Sequence, residues 1–90
     1  MMADQKQITR LLKTARGQLD GILNMVEEDR YCVDISNQLL ATQSILAKAN
    51  TAILQAHISH CVAAAAASGD EKEKQEKLEE LNTLLAKLMK

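Results

Sequence analysis

Proline, phenylalanine and tryptophan are absent from these 90 residues, tyrosine occurs once, and glycine only three times. The apolar content is Leu, Ile, Val and Ala instead, a composition that reads as all-helical. No stretch is long and apolar enough to span a membrane, and no signal-peptide pattern opens the chain, so the expected location is the cytoplasm. Neither sign of charge dominates: 11 basic against 12 acidic residues leave a net charge of −1, so nothing global demands nucleic acid. No acid–base pair or nucleophile–base arrangement stands out, which speaks against an enzyme. Only two cysteines are present, and in an intracellular chain that usage points to metal binding or redox chemistry rather than a structural disulfide. Ninety residues make a single domain, 1–90, near the size at which one core is marginal. Chains this small often complete their core with a partner.

Ile8, Leu11, Leu12, Ala15, Leu19, Ile22, Leu23 and Val26 recur at helical spacing, so the first helix spans roughly 5–28. Gly17 and Gly21, four apart inside it, suggest close approach of another helix, and EEDR (27–30) marks the break. From Tyr31 to Ser68 there is neither glycine nor proline, and the apolar repeat continues to an alanine run at 63–67. That is one helix of about 50 Å, too long to be covered by its two neighbours within so short a chain. Gly69 suits the position past a helix end, and Asp70 with Glu73 reads as a capping pair for the last helix. Leu78, Leu81, Leu84, Leu85 and Leu88 then form its apolar stripe against a Lys/Glu-rich outer face.

The chemistry-bearing residues lie on the long helix. His57 and Cys61, at i and i+4, share one face, as two metal ligands from one helix must. Cys32 is the only other thiol. At a helical rise it lies nearly 40 Å from His57, so the two cannot meet within one chain. Two such helices packed antiparallel about a two-fold axis near residues 44–46 place Cys32 of one chain beside the partner's His57 and Cys61, giving two identical sites. Two thiolates and an imidazole make a soft, low-coordinate set suited to Cu(I), whereas structural zinc wants four ligands. Cys32, near a helix start and close to Arg30, suits both metal binding and thiol reactivity. His60 could be a fourth ligand, but it lies about 60° around the helix from His57 and about 100° from Cys61, a place that suits a solvent-exposed or supporting residue better.

RGQLDGI (16–22), DRYCVDI (29–35), H-x-x-x-C at 57 and 61, and C-V-A…S-G-D (61–70) together resemble the CsoR/RcnR/FrmR family of bacterial metal- and stress-sensing repressors. The likeness covers nearly the whole chain in order, with the Cys-x24-His-x3-Cys spacing of the copper-sensing branch. It implies three helices per chain, an antiparallel dimer that pairs into a disc-like homotetramer, and an intersubunit Cu(I) site of Cys32, His57 and Cys61. It further implies an apo-form that binds operator DNA of copper-efflux genes and is released by Cu(I). The nickel and cobalt branch adds a histidine near the N-terminus, which MMADQK lacks. The formaldehyde branch lacks the second cysteine and the persulfide branch lacks the histidine, whereas Cys61 and His57 are both present. Tyr31 matches the tyrosine that supports the copper site, and Glu80 in EELNTLL is the best match for the supporting glutamate, although DEKEKQEK runs a few residues longer than in familiar members.

No common DNA-reading module is visible, so DNA binding would rest on a basic face contacting phosphates. Lys6, Arg10 and Lys13 form a stripe at i, i+4 and i+7, flanked by Arg16, and only Asp4 offsets them in the first sixteen residues. Lys13, Arg16 and Lys48 match basic positions of the family. A family arginine position holds Leu11, with Arg10 one residue earlier and about 100° around the helix. Two other functions fit the same residues. One is a persulfide- or thiol-sensing repressor of this fold using Cys32 and Cys61; the other is a helical metal-binding scaffold without a DNA role.

Overall fold

A computed structural model of the chain describes residues 1–88. It holds three helices, α1 (Gln5–Glu27), α2 (Cys32–Ala67) and α3 (Glu71–Leu88), with no strand among the described residues. All three run where the apolar periodicity places them, to within a residue at each compared end. Two compact units emerge, one formed by Asp4–Asn50 and the other by Met1–Ala3 with the chain from Thr51 on. α2 contributes to both.

Local chemistry sets the helix ends. Asp4 caps α1, its carboxylate accepting the Lys6 N–H at 3.0 Å. At the other end the Arg30 N–H reaches back to the Met25 carbonyl and the Asp29 N–H to that of Val26, with Asp29 at φ 52°. This pair of bonds is the Schellman arrangement, here with aspartate rather than glycine in the left-handed position. EEDR therefore stops the helix through its geometry, Asp29 being one of the few residue types that tolerate that conformation.

The second junction departs from expectation. Gly69 does not adopt a positive φ, so it is not a left-handed cap. Asp70 does cap α3, accepting the Lys72 N–H at 3.0 Å. Glu73, however, does not reach the Asp70 N–H. That N–H donates to Ser68 Oγ, and the Ser68 hydroxyl donates to Glu73 Oε2 at 3.0 Å. A serine side chain is thus inserted into the capping box.

In the Asp4–Asn50 unit, Ile8, Ala15 and Ile22 are buried on α1, and Thr42 and Ala49 on α2. Each set repeats every seven residues, the narrow seam of helices packed side by side. Thr42 Oγ1 lies 2.7 Å from Gln18 Oε1 and 3.2 Å from the Gln38 carbonyl, so its proton is always accepted. Gly17 and Gly21 do not mark a close approach within the chain, since a Cβ at either would meet nothing within 4 Å.

Much of the apolar repeat stays outside these seams. Leu12, Leu19, Leu23 and Val26 of α1 and Val33, Leu39, Leu40 and Leu46 of α2 are exposed. On α3 the expected leucine stripe divides. Leu81 is buried, Leu84 and Leu88 are half-buried, and Leu78 and Leu85 face outward. Lys74 and Lys77, half-buried, continue the inner face toward the N-terminus of α3.

Candidate metal centre

His57 and Cys61 lie one helical turn apart on α2, and their facing atoms, Nε2 and Sγ, are 3.5 Å apart. Cys61 is 2% exposed, whereas the His57 side chain is 38% exposed. α3 brings a third group. Glu80 Oε1 lies 2.7 Å from His57 Nε2, and its other oxygen lies 4.0 Å from Lys77 Nζ. The His57 hydrogen bond holds the Glu80 carboxyl below its ordinary value; desolvation opposes it, and the charges of Lys77 and His57 add lesser downward pulls.

The donor atoms of His57, Cys61 and Glu80 all lie within 4.8 Å of one another, close enough to converge on a metal ion. One nitrogen faces both partners. With its proton, Nε2 donates to Glu80; without it, Nε2 offers a lone pair beside Cys61 Sγ. Imidazole and thiolate suit a soft or borderline ion, while a carboxylate suits a harder one. The group therefore fits a transition metal, with Glu80 hydrogen-bonded to the same imidazole nitrogen that faces Cys61.

Among the described residues, Cys32 and Tyr31 are not part of this cluster. Cys32 is the exposed first residue of α2, and the Tyr31 carbonyl accepts the helix's first backbone bonds from Asp34 and Ile35. His60 is exposed and likewise outside the cluster. Lys77 was not singled out by the sequence, although its place at i−3 from Glu80 is a readable signal.

The basic residues of α1 do share a surface. Lys6, Arg10 and Lys13 line an open groove of about 760 Å³ with Gln5, Thr9 and Thr14, and Arg16 lines a shallower hollow beside it with Thr9, Leu12 and Lys13. Lys48 is exposed on α2. Leu11 is half-buried, while Arg10 is exposed and lines the groove.

A sequence profile of the metal-sensitive transcriptional repressors matches residues 4–87. The chain belongs to this family. Among members of the metal-sensitive repressors, the copper-sensing transcriptional repressor CsoR of Mycobacterium ulcerans (strain Agy99) is 53% identical over 58 residues, 64% of this chain and 50% of that protein. CsoR of Bacillus subtilis (strain 168) is 49% identical over 67 residues, 74% of this chain and 66% of that protein. The chain thus spans about half to two-thirds of these relatives. A solved structure, the nickel-responsive transcriptional regulator InrS, superposes with a TM-score of 0.83 at 26% identity, covering 98% of this chain and 96% of that one. It has the same all-α fold. The relatives' metals differ, so membership of the metal-sensitive repressors does not choose the ion. No helix among the described residues is long and apolar enough to cross a membrane.

Proposed function

We propose that this chain is a cytoplasmic copper(I)-responsive repressor, binding operator DNA without the metal and leaving it on Cu(I) binding. The observation that carries the reading is the His57–Cys61 pair, Nε2 and Sγ 3.5 Å apart on one helix face, in a member of this family. Two copper-sensing relatives near 50% identity support the choice of ion. Cys32, His57 and Cys61 would hold the ion, with Cys32 contributed by a partner chain. Bound there, Cu(I) supplies bonds to two thiolates and an imidazole, a set it prefers over harder ions. Without the ion, Glu80 orients His57 through its 2.7 Å hydrogen bond to Nε2, the nitrogen that faces Cys61 and that Cu(I) would take in its place. Tyr31, adjacent to Cys32, supports the site from the partner's side. The exposed apolar faces of α1 and α2 favour an antiparallel dimer pairing into a tetramer, since monomers rarely leave such surface uncovered. The two compact units act as one domain, because α2 runs through both and the family match spans them.

Lys6, Arg10, Lys13, Arg16 and Lys48 form no ion pair among the described residues, which leaves them available to phosphates. Coupling between the functions is thermodynamic: if metal weakens DNA binding, DNA weakens metal binding by the same factor. Anaerobic Cu(I) titration of the reduced protein, with and without operator DNA, tests this directly. One Cu(I) per chain and a lower affinity in the presence of DNA are expected. Equal affinities in the two titrations would remove the sensing role.

A further inference from the structure

Beside His57 lies an open-sided cavity of about 490 Å³ lined by Met1, Met2, Ile53, Leu54, His57 and Leu84. Its walls are aliphatic, and apart from the imidazole its only heteroatom side chains are two thioethers. No carboxylate lines it. Cys61, the thiol of the candidate centre, is 2% exposed and 3.5 Å from His57, whereas His57 is the part of that centre that opens onto the cavity. Met1 and Met2 are 72% and 53% exposed, so they stand where the cavity meets solvent. An ion arriving by this face meets thioethers before it meets the thiol.

The geometry points to Met1, Met2 and His57 as a soft capture site that takes Cu(I) from solution and passes it to Cys61. The inference rests on the copper reading of the neighbouring centre. Neutral thioethers bind soft, monovalent ions in apolar surroundings and offer little to hard divalent cations. They also carry no proton to lose, so capture does not wait on deprotonation, whereas binding by Cys61 requires release of the thiol proton. A neutral thioether holds the ion less firmly than a thiolate, so transfer runs toward Cys61. His57 belongs to both sites and is the bridge between them. The step is ligand exchange at an unchanged oxidation state: a copper–thioether bond breaks as the copper–thiolate bond to Cys61 forms, and the thiol proton leaves to water.

Two measurements test the proposal. In a Cys61→Ala variant carrying ¹³C-methyl methionine, anaerobic addition of Cu(I) should shift the methyl resonances of Met1 and Met2 and leave Met25 in place. In the otherwise native chain, Met2→Leu keeps apolar volume while removing a sulfur, and should slow Cu(I) uptake from a competing chelator several-fold in stopped-flow. Met25→Leu, a methionine outside the cavity, should not. Methyl signals that stay fixed, or a Met2→Leu chain that loads at the native rate, overturn the capture site while leaving the copper reading intact. A native chain that takes up no Cu(I) removes both.

Discussion

The two units of the chain differ in how many of their basic groups are paired. In Asp4–Asn50, Lys6, Arg10, Lys13, Arg16 and Lys48 stand outside every ion pair among the described residues, and only Arg30 is paired, with Glu28 at 3.8 Å. In the other unit, His57, Lys74 and Lys77 are each matched to a carboxylate of α3, while Lys72 and Lys87 are not. The thiols differ in the same sense, Cys32 exposed in the first unit and Cys61 buried in the second. Unpaired surface cations can exchange water and counterions for phosphate, whereas hydrogen-bonded groups hold a fixed geometry, which a selective metal site needs. α2 is the one element common to both, so any coupling between the two chemistries has a continuous helix to act through.

The sharpest way to break this division is Cys61→Ala. It should abolish the copper response while operator binding survives, read as DNA anisotropy with and without Cu(I). Release of DNA by copper from that variant would mean that the second unit does not hold the metal site. Next in size, Arg10→Ala and Lys13→Ala should each weaken operator binding and reduce the salt-dependence slope by about 1, with Cu(I) uptake by the free protein unchanged. Loss of copper affinity in either would show that the chemistries are not divided between the units.

The smallest effect is the titration of Glu80. Its carboxyl is held below the ordinary value of 4.5, first by the His57 hydrogen bond. A depressed folded pKa means that the stabilising contribution is present above about 4.5 and is lost as pH falls through the lower folded value. Side-chain NMR of Glu80 should show a midpoint below 4.5 in the native chain. His57→Ala should return it toward the ordinary value. A midpoint indifferent to His57 would leave the hydrogen bond without influence in solution.

What could be read in advance follows the range of the interactions. The three helices come from apolar periodicity and from the absence of proline over the whole chain, both local. The His57–Cys61 pair is legible for the same reason, because i and i+4 meet on any helix. The family's sequence blocks led to Glu80, but its bond to His57 joins groups 23 residues apart and depends on how α3 lies against α2. The leucine stripe of α3 shows the same limit. Periodicity allowed five leucines on one face, and packing buried Leu81 while turning Leu78 and Leu85 outward.

The sequence by itself determined an all-helical chain, a thiol and an imidazole one turn apart, and a basic stripe on the first helix, since each needs only the helical repeat. Tertiary structure decided that the His57 nitrogen facing Cys61 also faces Glu80, and that Met1 and Met2 line a cavity with His57. It decided too that serine would enter the capping of α3. These arrangements depend on side chains brought together by packing and by the path of the chain between helices, which no helical repeat encodes.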